Sequence, residues 1–363
     1  MKNKNIALGL MSGTSCDGLT ICALQLKPFG ILAYKNYPYS PALQERLLQA
    51  ASLRAPQLSA LHMELGKLYA QKTKLFLRGA GLSPRDLRCA GMHGQTIYHG
   101  PQDTPANTLQ LAEPSFLAEL LECPVVSHFR QRDMVLGGQG APLIPFFDEI
   151  IFGRGTPKIL LNLGGIANLS IVGKKVKTFG FDCGPANTLM DTACAQYLKE
   201  PFDKGGRRAA LGQADISLVS KLLRQPFFLQ KPPKSLDKNE FSSRYLYTYF
   251  STFTPDRIND LLATLNYFTA AAIAQAIEQF IPAKYRREII VSGGGAHNTT
   301  LLKNLRQLTH MPVVISSKYH IDPLAKEAAA FALMAAYALQ GKSNHCPQAT
   351  GARKKTILGQ ITL

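Results

Sequence analysis

No apolar run in the chain approaches the roughly 20 residues that a membrane span needs. No two of its seven cysteines form a C-x-x-C pair. They stand at positions 16, 22, 89, 123, 183, 194 and 346, odd in number and scattered. That argues against both a disulfide framework and a structural zinc. The short apolar segment near the N-terminus is cut by Ser12 to Asp17 before a secretory core could form, so a cytoplasmic protein is expected. Neither G-x-x-x-x-G-K-[ST] nor G-x-G-x-x-G occurs, which removes the P-loop and the dinucleotide fingerprint. Acids are few, with 24 Asp+Glu against 41 Lys+Arg and a net charge of +17. Such a charge suits nucleic acid, an anionic small substrate or a basic solvated surface. The basic residues are spread out, without an arm, an RNP-like aromatic motif or zinc-finger spacing. Attraction for acidic ligands is expected, and neither a nucleic-acid nor a membrane partner.

What is present is enough for two domains with real cores: 363 residues, 46% of them hydrophobic. Strands at 5–10, 19–26 and 31–37 open the chain as an antiparallel meander, with Lys27-Pro28-Phe29-Gly30 turning the second into the third. Helices follow at 42–52 and 57–78, where Leu61, Leu65, Leu68 and Leu75 repeat on one face. A short strand from Leu87 to Met92 ends at His93-Gly94-Gln95-Thr96. A second meander is expected at 158–163, 168–172 and 176–181, followed by helices, and residues 225–245 read as a long surface loop and candidate lid. The glycine-rich segment 137–142 marks the crossing between domains. The division is therefore residues 1–130 plus 345–363 as an N-terminal lobe and 131–344 as a C-terminal lobe. Two similar α/β lobes around a ligand cleft fit this repeated pattern.

Three glycine turns follow apolar strands: Met11-Ser12-Gly13-Thr14-Ser15-Cys16-Asp17-Gly18, Leu163-Gly164-Gly165-Ile166-Ala167-Asn168, and Gly293-Gly294-Gly295-Ala296-His297-Asn298. A strand breaking into a tight polar turn aims backbone N–H groups at phosphate oxygens, and Asp17 is placed to hold a hydrated Mg²⁺. Two such turns would clasp phosphates from opposite lobes, and the third would let adenosine lie on bare backbone. Asp182 ends a strand before Cys183-Gly184-Pro185, which suits a general base and equally suits a helix-capping acid. His93 reads as a structural histidine. Arg130, with Arg132 and Asp133, either forms an ion-pair knot or meets a substrate carboxylate through its planar fork. Glu327 opens an apolar helix, as a solvated first-turn acid or as a ligand contact.

With these residues in view, the chain resembles the anhydro-N-acetylmuramic acid kinases. The matching segments are MSGTSCDG (11–18), HGQT (93–96), FRQRDMVLGGQGAPLIP (129–145), LNLGGIANLS (161–170), GFDCGPANTLMD (180–191), FDKGGRRAALG (202–212), GGGAHN (293–298), KEAAAFA (326–332) and ATGA (349–352). They run in family order over nearly the whole length. The resemblance implies an α/β, two-lobed sugar kinase/Hsp70/actin-like (ribonuclease H-like) fold with an interlobe ATP cleft, together with Mg²⁺ and a homodimer. It also implies ATP-dependent opening of 1,6-anhydro-N-acetylmuramic acid by water, giving N-acetylmuramic acid 6-phosphate and ADP in cell-wall recycling. Asp182 would be the base that activates the water, as in an inverting glycosidase. Gly13, Thr14, Ser15, Cys16, Asp17, Gly18, Leu19 and Thr20, then Gly164, Gly165 and Asn168, then Gly293, Gly294, Gly295 and Asn298 would bind the nucleotide. Asp17 would reach the metal through water. Gln95, Thr96, Arg130 and Glu327 would hold the sugar and its lactyl carboxylate.

Two departures from the family pattern stand out. Its first motif usually continues D-G-x-D, where this chain has Thr20, and Ala112 replaces the usual glycine before Glu113-Pro114. Two other readings remain open: an ordinary sugar kinase of the same superfamily acting on a free hydroxyl, and a non-catalytic ATP-binding regulator.

Overall fold

Both meanders are present, and each supplies three strands of its own sheet. The computed structural model describes residues 5–13, 16–232, 234–236 and 238–363. Thr14 and Ser15, two of the residues assigned to the phosphate turn, lie outside the described residues.

Among the described residues the first sheet has seven strands. Strands β1 (Ile6–Ser12), β2 (Gly18–Leu26) and β3 (Phe29–Pro38) form the antiparallel meander, and β4 (Leu87–Gly100) runs parallel to β1. Strand β5 (Asn107–Leu111) folds back on residues 95–100 of β4, β6 (Val125–Ser127) runs parallel to β4, and Gln360–Thr362 closes the edge antiparallel to β6. The second sheet repeats this order. Strands β7 (Lys158–Leu163), β8 (Ile166–Val172) and β9 (Phe179–Pro185) form the meander, with β10 (Ile289–Ser292) and β11 (Val313–Ile315) added in parallel beyond β7. An antiparallel meander whose first strand leads into parallel neighbours, occurring twice, is the ribonuclease H-like order, and it is dictated by the apolar strands read above.

The central strand of the first sheet is covered on both faces, which is why it reads as a nearly continuous apolar run. Leu8 and Leu10 pack with Leu61, Leu65 and Tyr69 of helix Ala55–Gly79. On the opposite face helix Lys326–Ala338 lies almost on the backbone. A Cβ on Gly9 would stand 1.7 Å from the Ala328 carbonyl oxygen, and one on Gly91 2.1 Å from that of Phe331. Glycine in the strands and alanine in the helix are thus one feature, a close approach that side chains would prevent. In the second sheet Ile159, Leu161 and Leu169 meet helices Ile258–Phe280 and Thr299–Thr309.

The chain divides into one unit of residues 1–147 plus 320–363 and another of 148–319. This corrects the expected boundaries at 130 and 345. Residues 131–147 stay with the first unit because buried Asp133 accepts hydrogen bonds from the Gly140 amide at 2.6 Å and from His345 and Thr350 at 2.6 and 2.5 Å. The glycine-rich segment is a pinned loop of that unit. Residues 320–344 join it because helix Lys326–Ala338 packs on its sheet, and because the Asn344 side chain donates to the Met334 and Leu358 carbonyls. The Asp133 bonds and the helix-to-sheet contact are long-range, so local composition could not reveal them.

Two more expectations change. His93-Gly94-Gln95-Thr96 lies inside β4, which continues to Gly100 where β5 gives it a partner. Residues 225–245 are not a surface loop: helix Pro226–Leu229 and the start of Ser243–Phe250 fall here, and Phe228, Lys234 and Phe241 are buried.

The departure at Ala112 also acquires a physical meaning. Its φ is +122°, a region that L-residues avoid, and the residue is buried. We predict that Ala112→Gly stabilises the protein. Strain relief outweighs the added chain entropy by about 1 kcal/mol, a rise of roughly 2–4 °C in Tm. Thermal unfolding that shifts downward would contradict this reading.

Candidate active site

In the first unit the turn after β1 is held from beneath. Gln95 is wholly buried; its Nε2 donates to the Gly13 carbonyl at 3.0 Å, to Cys16 Sγ at 3.3 Å and to the Thr96 carbonyl at 3.2 Å, and its Oε1 lies 2.5 Å from the Ser12 hydroxyl. Ser12 Oγ accepts from Tyr39 at 2.9 Å, whose hydroxyl is 3.0 Å from that of Tyr69. Burial raises both phenols, Tyr39 to about 12, so they stay neutral partners. The Gln95 amide makes these bonds within the protein, and they position the turn. Asp17 is exposed, with its carbonyl accepting from the Tyr39 amide at 3.1 Å. Gly18 begins β2, where a Cβ would meet the Tyr37 carbonyl at 2.6 Å. Leu19 and Thr20 continue into β2. Leu19 is wholly in the core, and Thr20 pairs with Met11 and Asn36 in the ladder, its Oγ1 3.4 Å from Asn36 Oδ1. Threonine in place of the family aspartate is therefore a strand residue.

Farther along β4, Thr96 Oγ1 accepts weakly from Gln110 Nε2 at 3.5 Å, and Thr96 is nearly buried. Arg130 donates from Nε to His93 Nε2 at 2.9 Å and from Nη1 to the Gly140 carbonyl at 3.1 Å. Arg132 instead donates to the Ile357 carbonyl at 3.1 Å. Asp133 is held by Gly140, His345 and Thr350 as described, so its anchoring does not depend on the expected ion-pair knot. Glu327 stands half-buried in the first turn of helix Lys326–Ala338.

In the second unit a polar row crosses the sheet. Ser292 of β10 is paired with Asn162 of β7, Asn162 with Asn168 of β8, and Asn168 with Asp182 of β9. Directly paired residues share a face, so the four side chains line up. The two glycine turns adjoin one end of this row. A Cβ on Gly293 would stand 2.7 Å from Asn162 Oδ1, and one on Gly295 2.6 Å from Leu163 Cβ. Asn187 Nδ2 donates to the Leu163 and Gly164 carbonyls at 3.1 and 2.8 Å, and the Ala186 amide to the Gly165 carbonyl at 2.9 Å. Gly164, Gly165, Asn168, Asp182 and Gly293 to Gly295 are thus brought together.

Asp182 does not cap a helix: helix Thr188–Ala193 begins after Asn187. Its carboxylate accepts the Leu236 amide at Oδ2, 2.9 Å, and its own amide donates to the Lys234 carbonyl at 3.0 Å. Lys234 is buried, with Nζ 3.0 Å from the Phe227 carbonyl and 4.5 and 5.0 Å from the Phe227 and Phe280 ring centres. Burial lowers its pKa, while the Asp182 carboxylate opposes that shift. Asn298 follows the third glycine turn as the cap of a helix. Its Oδ1 accepts the Leu301 amide at 3.0 Å as a helix N-cap and the Asn266 amide at 3.2 Å. Ser12, Tyr39, Asn162, Asn187, Ser292 and Lys234 were missed by sequence reasoning. Only the asparagines carried a signal, as isolated amides near the ends of apolar strands.

The family model described as Anhydro-N-acetylmuramic acid kinase matches residues 5–363. A protein of that name from Salinibacter ruber is 37% identical, the alignment covering 100% of this chain and 97% of that protein. Its namesakes from Acinetobacter baylyi and Pseudomonas syringae pv. syringae are 37% and 38% identical, each over 98% of this chain and 99% and 98% of theirs. Among solved structures, a ROK family glucokinase from Streptomyces griseus aligns over 91% of this chain and 99% of that one, at 12% identity and a TM-score of 0.41. The fold assignment rests on the strand order, not on that likeness.

Proposed function

We propose, since the chain belongs to the anhydro-N-acetylmuramic acid kinase family, that it opens the 1,6-anhydro ring of anhydro-N-acetylmuramic acid with water and phosphorylates the released oxygen from ATP. Asp182 removes a proton from a water attacking the anomeric carbon. The C1–O6 bond breaks, O6 takes the γ-phosphoryl group, and ADP leaves with the electron pair of the broken phosphoanhydride bond. The proton on Asp182 then passes to solvent. Because O6 is captured by phosphorus it needs no protonation, and one carboxylate does what a glycosidase divides between two. The observation that carries this reading is the Asp182 carboxylate, held by the Leu236 amide in a polar row beside two glycine turns.

Gly13, Gly164, Gly165 and Gly293 to Gly295 serve the nucleotide through their backbones. Gln95, Ser12 and Tyr39 set the first of these turns. Thr96, Arg130 and Glu327 serve the sugar, Arg130 taking its lactyl carboxylate. Among the described residues no group of three or more His, Cys, Asp or Glu could hold a metal alone. The exposed Asp17 carboxylate nevertheless fits Mg²⁺, which favours one or two carboxylates plus water and phosphate oxygens. When bound there, the ion supplies charge neutralisation at the phosphates. No helix among the described residues is long and apolar enough to cross a membrane. A homodimer in the cytoplasm, working in cell-wall recycling, accompanies the reading.

The test is ADP release with and without the anhydro sugar, repeated in ¹⁸O-labelled water. Sugar-dependent ADP with label at the anomeric position is expected. Sugar-dependent ADP without label would reassign the protein as an ordinary hydroxyl kinase, and ATP binding without ADP release would make it a regulator.

A further inference from the structure

His93 is 2% exposed, and its ring packs against Phe331 with centroids 4.8 Å apart. An arginine can only donate, so the 2.9 Å contact from Arg130 Nε requires an unprotonated His93 Nε2. The ring proton then sits on Nδ1, which donates to the Gly94 carbonyl at 2.9 Å. Burial, reinforced by the neighbouring guanidinium, holds this imidazole well below its usual pKa, so it is neutral near pH 7. The Gly140 carbonyl fixes Arg130 a second time through Nη1, and that glycine is itself pinned by buried Asp133. Two fixed acceptors on one planar fork set both its direction and its rotation.

We propose that His93, in its Nδ1–H tautomer, is a positioning residue that aims the Arg130 guanidinium at the substrate's carboxylate and so sets the preference for a carboxylate-bearing anhydro sugar. This rests on Arg130 meeting that carboxylate, as given under Proposed function. The role differs from catalysis, since His93 acts through Arg130.

Two amide replacements separate the role from mere packing. In His93→Asn the amide can mimic Nδ1 and keep the Gly94 bond but cannot reach Arg130. In His93→Gln the side-chain oxygen can replace Nε2 as acceptor. The readout is the ratio of kcat/KM for the anhydro-muramic substrate to that for 1,6-anhydro-N-acetylglucosamine, which lacks the lactyl carboxylate. His93→Asn is expected to lower the ratio at least about tenfold, as loss of a charge-assisted contact does, with the KM for ATP unchanged. His93→Gln should keep the ratio within about threefold of the starting protein. In an Arg130→Ala background, itself low in ratio, His93→Asn should have no further effect. Equal ratios in the two amide variants, or a loss in His93→Asn that persists without Arg130, overturn the positioning role. A starting protein that turns over both sugars equally well overturns the Arg130 assignment, and the proposal with it.

Discussion

Asp182→Asn is expected to lower turnover of the anhydro sugar by about 10²–10⁴-fold, the usual contribution of a positioned general base. The amide is isosteric, and its oxygen can still accept the Leu236 amide that now reaches Oδ2. Clamp and strand pairing therefore survive, and melting should shift by no more than about 2 °C. What is lost is basicity, so a water at the anomeric carbon keeps its proton. ATP affinity should stay within about threefold, because in the proposed reading the base acts on water and the glycine turns act on phosphate. The measurement is single-turnover ADP formation beside nucleotide binding by calorimetry. Turnover close to that of the unmodified protein would remove Asp182 from the chemistry.

Gly9→Val is expected to be the most damaging change outside the chemistry. A Cβ there would sit 1.7 Å from the Ala328 carbonyl oxygen and 2.9 Å from the Ala332 amide nitrogen, both main-chain atoms that no rotamer change can move aside. Helix Lys326–Ala338 would have to lift from β1, opening voids around Ala328, Ala329 and Ala332, all of which are fully buried. Overpacking with backbone displacement costs on the order of 3 kcal/mol or more, a fall in Tm of roughly 6–12 °C. The same helix carries Glu327, proposed above to serve the sugar, so any folded fraction should show a raised KM for the sugar. Thermal unfolding and steady-state kinetics on the soluble fraction read both effects. An unchanged melting temperature would mean that the close approach does not exist.

The two perturbations differ in what made their targets legible. Asp182 could be read from order along the chain, because a strand-end acid before Gly184 and Pro185 is a local pattern. The competing reading as a helix cap fell only when the helix was seen to start beyond Asn187. Gly9 looked like one more small residue in an apolar strand. Its necessity comes from a helix more than 300 positions later, and nothing near Gly9 encodes that neighbour. The surroundings of Gln95 also depend on distant chain. A polar run at an apparent strand end looks like a ligand loop, but β5 returns to pair with it and the amide turns inward to Gly13 and Cys16.

The sequence by itself determined the doubled meander, the three glycine turns, the family and the candidate base. These are properties of spacing and residue type, and strand alternation and turn chemistry act over a few residues. Tertiary structure alone decided where one unit gives way to the other. It alone showed that Leu19, Thr20 and Asn298 serve the core, the ladder and a helix cap, and that neutral His93 holds Arg130. It also aligned Ser292, Asn162, Asn168 and Asp182 across four strands. Each of these depends on which distant backbone arrives to supply a hydrogen-bond partner. In a buried setting that arrival decides whether a polar side chain is spent on the protein or turned to a ligand.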